Sequence, residues 1–238
     1  MFFIIQFRGS VLKKQSPEFS FKGYSFKGYI RAAAKYLTAN MIRFAVIGHK
    51  AVTEPTFTLN DMPGAAGRMD IMCRCINTSF FLSHDMRRNV ECFLILKGGE
   101  TEKTLVFSGE TIRSLNPDER SAGALIKKGL GTDAGDTFKK AADGIRIRAG
   151  GLKELLAEYP FAVLDENGTD IREAEALPEN FLLSDHMNFT KEEEELIKDL
   201  PRYSVGPRVL HADHTITVLL NEFDRREAGR KEAGREEA

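Results

Sequence analysis

The chain has 238 residues, 42% hydrophobic and 29% charged, with 34 Lys or Arg against 35 Asp or Glu. That is the make-up of one globular domain, with or without tails, able to bury a core without disulfide staples. A formal net charge of −1 excludes a wholesale basic coat, so nucleic-acid contact has to come from local patches.

In chain order, the first 40 residues hold seven Lys or Arg against the single Glu18 and repeat Ser-Phe-Lys-Gly-Tyr at 20–24 and 25–29. Two readings stay open: a basic, aromatic-studded N-terminal extension that could lie on RNA, or a stretch upstream of a true start at Met41. Its apolar run Met1 to Ile5 is too short for a membrane span or a signal-peptide core, and no membrane partner is expected. Ile42 to Ile47 then reads as a strand, 68–82 as a helix, 90–96 and 104–108 as strands, and 117–129 as a helix capped by Asn116 with Pro117 at its first position. Residues 129–143 read as a loop, Ile145 to Arg148 as a strand and Leu152 to Ala157 as a short helix. Three short apolar strands follow, Phe161 to Leu164, Phe181 to Leu183 and Tyr203 to Val205, each ending in a polar or glycine-bearing loop, as buried parallel strands do. Thr190 and Glu193 form a capping box for a helix through Leu200, and Ile216, Leu219, Leu220 and Phe223 share one face of a last helix. Residues 224–238 are a charged, low-complexity tail with no apolar face, read as a frayed helix or as disordered. The alternation predicts an α/β domain over 41–223 with a parallel sheet, whose ligands belong at the loops after the strand carboxyl ends.

Several motifs are weak. Cys73, Cys75 and Cys92 form neither an even secreted framework nor a CxxC pair and read as reduced thiols of a cytoplasmic protein. Neither His211, Asp213 and His214 nor Cys73 with Cys75 makes a good metal set, because cysteines two apart on a helix point to nearly opposite sides and no second Cys or His pair completes a tetrahedron, so no metal is expected. Gly129, Gly131 and Gly135 follow a helix rather than a strand, the wrong context for a dinucleotide loop, and adjacent Ser83, His84 and Asp85 are a poor geometry for a catalytic relay. Asp70 and Arg74, four apart on a helix, can be read as a plain surface ion pair. The dense run of arginines from 68 to 88 is more specific, because guanidinium forks onto phosphate and stacks on bases: Arg68, Arg74, Arg87 and Arg88 are candidate RNA contacts.

Seven stretches in order, Asn60-Asp61-Met62-Pro63-Gly64, Arg68-Met69-Asp70, Cys73-Arg74-Cys75, Phe81-Leu82-Ser83-His84-Asp85, Asn116-Pro117-Asp118-Glu119-Arg120, Ser184-Asp185-His186 and Leu210-His211-Ala212-Asp213-His214, closely resemble the archaeal tRNA pseudouridine-54 N1-methyltransferases of the SPOUT superfamily. The resemblance spans Met41 to about Phe223. It implies a parallel sheet whose C-terminal part is tied in a deep trefoil knot, S-adenosylmethionine bound in the knot loops, a homodimer whose interface helps build each site, the T-loop of tRNA as substrate, and no DNA partner. Cofactor contacts carry over to Leu164, Ser184 and Thr215, with Val205, Gly206 and Leu210 around the adenosine; Ser184 and Thr215 stand where the family often has Gly and Cys. Removal of the N1 proton needs a nearby base, for which Asp70 and Asp61 are the candidates, with Arg68 stabilising charge on the ring carbonyl. Two rivals share the fold: a ribosomal-RNA pseudouridine N1-methyltransferase, and a catalytically silent RNA-binding protein without cofactor affinity.

Overall fold

The computed structural model describes residues 41–236, with side chains through 229; the basic 1–40 segment and its repeat lie outside the described residues. The elements are β1 (Ile42–Gly48), α1 (Met69–Phe80), β2 (Val90–Leu96), β3 (Lys103–Ser108), α2 (Glu119–Leu130), β4 (Lys139–Ala142), β5 (Ile145–Ala149), α3 (Leu152–Glu158), β6 (Ala162–Asp170), β7 (Asn180–Ser184), α4 (Lys191–Ile197), β8 (Arg202–Ser204) and α5 (Ala212–Glu236). The strands form one eight-stranded sheet in the order β4-β5-β3-β2-β1-β7-β6-β8.

From β2 through β1, β7 and β6 to β8 every pairing is parallel, whereas β3 pairs antiparallel with β2 and β5, and β4 antiparallel with β5. The sheet is therefore mostly rather than wholly parallel. Residues 97–102 between β2 and β3 are too few for the crossover that parallel neighbours need, so the chain turns straight back. The parallel strands are apolar on both faces. On β1, Phe44 and Val46 pack with Met72, Ile76, Ile126, Ile216 and Leu219 of α1, α2 and α5, while Ala45 and Ile47 pack with Leu152, Leu155 and Ile197 of α3 and α4. Helices cover both faces of the sheet in three layers, which is why these strands read as unbroken hydrophobic runs.

Some boundaries moved. Asp118, not Asn116, caps α2: its side chain accepts from the Ser121 N–H at 2.8 Å, so Pro117 lies before the cap rather than inside the helix. The expected 129–143 loop contains β4, a polar edge strand whose Lys139-Lys140-Ala141-Ala142 sequence carries no alternation to detect. α4 stops at Ile197, short of Leu200, and β6 runs on to Asp170. In β6 the register to β8 jumps from Leu164 to Thr169, pushing residues 165–168 out of the ladder; Gly168 lies so close that a Cβ would stand 2.5 Å from the Tyr203 nitrogen. The charged segment after Asp224 continues α5 as helix through Glu236. Arg226 hydrogen-bonds Glu222 one turn earlier and the Ile171 carbonyl across the fold, and Arg225 bonds Asn221, so side-chain pairs replace the missing apolar face.

Candidate active site

Parallel neighbours bring the carboxyl ends of β6, β7 and β8 side by side, and the loops that leave them enclose a cleft of about 290 Å³. Leu164, Ser184, Val205, Gly206, Leu210 and Thr215, six positions spread over 52 residues, all line it. Its apolar wall is Leu164, Leu183, Tyr203, Val205 and Leu210, and its acidic rim is Asp165, Glu166 and Glu194. Arg202 spans from Asp165 (2.5 Å) to Glu194 (2.6 Å) and ties the β6 loop to α4. An aromatic and aliphatic wall suits a purine ring, strand-end backbone offers hydrogen bonds to it, and carboxylates suit a cationic sulfonium and ammonium group; the residues present fit S-adenosylmethionine. Ser184 Oγ donates to the Met187 carbonyl, and Thr215 sits in the first turn of α5, so both departures from the expected Gly and Cys are accommodated in the cleft wall.

Beneath this wall lies a buried charge relay that the sequence reading missed. His49, just past β1, donates from Nδ1 to Asp185 Oδ1 and from Nε2 to Glu193 Oε2, both at 2.9 Å, and its backbone N–H reaches Asp185 Oδ2 at 3.0 Å. Lys97, just past β2, donates to Glu193 Oε1 at 2.5 Å. Burial alone would lower the imidazole, but its hydrogen bonds and the two carboxylate charges raise it from 6.5 to about 9, so it is an imidazolium at neutral pH. Burial would raise the Glu193 carboxyl, yet His49 and Lys97 bring it down to about 2, and Asp185 is likewise held below the usual carboxylate range. Glu193 was legible only as the capping partner of Thr190, which it also is, accepting the Thr190 N–H at 2.8 Å. A histidine directly after a buried strand's carboxyl end was the one available hint.

On the α1 side the arginines are held in a second network. Arg68 stands at α1's N-terminus in a left-handed conformation (φ 68°), preceded by Gly67 at φ 65°, whose missing Cβ makes room for the Lys50 carbonyl. It forks onto Asp70 with two 3.0 Å bonds, and Arg74 adds a third at 2.9 Å. Arg74 also reaches Glu119 (3.4 Å) and Asp213 (3.5 Å), the latter between Ala212 and Thr215 of the cleft wall, so the network abuts the cleft. Asp70 is 4% exposed; burial would raise its carboxyl, but the Arg68 and Arg74 hydrogen bonds hold it below the ordinary value. A carboxylate so depressed, with its lone pairs engaged, is a weak proton acceptor. Asp61 is also engaged: its two oxygens accept the Gly64 and Ala65 N–H groups at 3.0 Å each, shaping the 61–67 turn. Arg87 forks onto Asp224 of α5 at 2.7 and 2.6 Å, and Arg88 is exposed and donates to the Gly109 carbonyl. Arg68 and Arg74 are thus together, whereas Arg87 and Arg88 lie apart from them, Arg87 beside the far side of α5 and Arg88 in a cleft with Arg113 and Arg146. Among the described residues no group of three or more His, Cys, Asp or Glu gathers to hold a metal, and no helix is long and apolar enough to cross a membrane.

Residues 41–228 match the sequence family described as "Putative SAM-dependent RNA methyltransferase". The chain belongs to this family. Among its relatives, the tRNA (pseudouridine(54)-N(1))-methyltransferase of Methanocorpusculum labreanum is 73% identical over 191 residues, covering 78% of this chain and 98% of that protein. The enzyme of the same name from Methanospirillum hungatei is 48% identical over 192 residues, 79% of this chain and 99% of that protein. Among solved structures, Archaeoglobus fulgidus Nep1 bound to S-adenosylhomocysteine superposes with a TM-score of 0.54 at 15% identity, covering 79% of this chain and 99% of that one, a likeness of fold. For this SAM-dependent RNA methyltransferase, the family match and the cleft at the carboxyl ends of β6, β7 and β8 point to the same kind of ligand.

Proposed function

We propose that the chain methylates N1 of pseudouridine at position 54 in the T-loop of tRNA, as a cytoplasmic homodimer whose interface helps complete each site. The observation that carries this reading is 73% identity to a tRNA (pseudouridine(54)-N(1))-methyltransferase across 98% of that protein's length. The cleft supports it: Leu164, Ser184, Val205, Gly206, Leu210 and Thr215 are brought together where S-adenosylmethionine would bind, and the trefoil path expected from the resemblance would wrap these loops around it. When bound, the cofactor supplies a methyl group already activated by its sulfonium.

The chain's own part is then to hold the base in line with that methyl group and to manage the N1 proton, so positioning dominates. Arg68, held along one edge by its two-bond fork to Asp70, presents a fixed guanidinium to charge that develops on the ring carbonyl as N1 loses its proton. Asp70 acts in this reading by holding Arg68 and Arg74, and Asp61 by fixing the turn that sets Gly67 and Arg68 in place, so the N1 proton passes to solvent water while Arg68 stabilises the anion left on the ring. The exposed parts of Arg68, Arg74, Arg87 and Arg88 serve the RNA backbone.

The test is methyl transfer from labelled S-adenosylmethionine to tRNA transcripts with pseudouridine or uridine at position 54, the product nucleoside being identified by mass spectrometry. N1-methylpseudouridine from the pseudouridine transcript alone is expected. Transfer to ribosomal RNA alone, or tRNA binding with no cofactor affinity, overturns the reading in favour of one of its two rivals.

A further inference from the structure

The relay beneath the cleft is more than a stabilising ion pair, because of what its members are attached to. Asp185 follows Ser184 at the end of β7 and belongs to the cleft lining. Its carboxylate accepts three hydrogen bonds that fix the turn: the His49 ring at 2.9 Å, the His49 N–H at 3.0 Å and the Met187 N–H at 2.9 Å. Glu193, at the start of α4, fixes the other end of the same loop, because residues 185–190 run from Asp185 to the Thr190 cap. His49 holds both ends at once. Asp185 and Glu193 side chains are 1% and 2% exposed and that of His49 is 6%, so water cannot take over if the bridge is cut.

We propose that His49 is a positioning residue for the cofactor: by clamping Asp185 and Glu193 it holds the 184–189 loop in the shape that binds the adenosyl group. This rests on the reading of the cleft as the S-adenosylmethionine site. The groups that face His49 are Asp185 and, 3.4 Å beyond it, His186 from the turn after β7; Glu193 from α4; and Lys97, backed by Glu102, from the segment after β2. Both of its ring nitrogens face carboxylates, so the clamp needs the doubly protonated ring and releases one partner when a proton leaves. Cofactor affinity therefore falls as pH rises through the alkaline value of this imidazole, while maximal turnover, set on the α1 side by Arg68, changes little.

The experiment is calorimetric titration of S-adenosylhomocysteine into the full chain and its His49→Ala and His49→Gln variants from pH 7 to pH 10, with amide hydrogen exchange read at Met187 in the unliganded proteins. Circular dichroism reports folding throughout. The expected result at pH 7 is a Kd raised about tenfold or more in His49→Ala, less in His49→Gln, faster exchange at Met187 in both, and kcat at saturating cofactor within about threefold of the parent. The parent's affinity should decline towards pH 10 more steeply than that of the variants, which share only the loss of the ligand's own ammonium charge. Folded His49→Ala that binds within twofold of the parent overturns the proposal. If His49→Ala fails to fold, a pH-independent parent Kd or an unchanged His49→Gln overturns it equally. A parent that binds no S-adenosylhomocysteine removes the cleft reading itself and the proposal with it.

Discussion

Replacing Asp70 by Asn separates a base from a holder. Asp70 is almost wholly buried and accepts three guanidinium bonds, two from Arg68 and one from Arg74. Removing one partner of a buried pair costs about 3–5 kcal/mol. Here the two arginine side chains are 37% and 33% exposed, so water recovers part of that and about 1–2 kcal/mol is expected. For a chain of this size that lowers Tm by roughly 3–6 °C, which circular dichroism resolves easily. The amide offers one acceptor oxygen in place of two, so Arg68 loses half of its fork and its aim. Loss of a preorganised donor to developing charge costs about 100-fold to 1,000-fold, and misaiming one costs less, so kcat should fall about 10-fold to 100-fold. The deciding observable is the pH profile of kcat/KM on pseudouridine-bearing tRNA. A holder leaves the acid limb in place at reduced height, and Arg68→Lys should reproduce the loss. Disappearance of the acid limb in Asp70→Asn, with Arg68→Lys close to the parent, would refute the argument and make Asp70 the base.

Other outcomes follow from the same geometry. Gly67→Ala places a Cβ against the Lys50 carbonyl at a φ of 65°, so thermal melts should show a loss of about 2–4 kcal/mol, and residual activity should drop further because Arg68 is next in line. Phe181→Ala empties a site between Phe44 and Phe223 (centroids 6.2 and 6.0 Å) and should cost about 3–5 kcal/mol in urea unfolding without altering any residue that lines the cleft. The His49 imidazole is raised above its unfolded value of 6.5, so its contribution is complete below pH 6.5 and is lost as pH rises through about 9. Linkage puts that contribution at about 3 kcal/mol, and Tm should fall more steeply between pH 7 and pH 10 in the parent than in His49→Gln.

Much of this fold can be read from residue pattern because the strands are short and buried and the caps are local. Thr190 and Glu193, three apart, announce the start of α4, and the nearly unbroken apolar run from Ile42 to Ile47 announces β1. The α2 cap was misplaced by two residues because Asn116 and Asp118 are both good cappers and only the backbone chooses between them. β4 escaped notice because an edge strand need bury neither face. The cleft positions came from resemblance alone: nothing in the local sequence of Leu164 or Thr215 says that they meet. The relay was invisible for a sharper reason. His49 and Glu193 are separated by 144 residues, and each looks like an ordinary surface group until the fold removes water from both. A charge's burial is a property of the assembled sheet ends, not of any window of sequence.

The three thiols give the molecule a built-in clock. Cys73, Cys75 and Cys92 are all buried, and burial pushes Cys73 and Cys92 up to about 12 and Cys75 well above its ordinary value. Alkylating reagents attack thiolate, so at neutral pH the native chain should be nearly inert to them. Cys73 and Cys75 lie on α1 and Cys92 on β2, which places the reporters in the helix that carries Arg74 and in the strand beside β1. Labelling then times the opening of the central core itself, and a bound cofactor analogue that slows it would show that the cleft and the core breathe together.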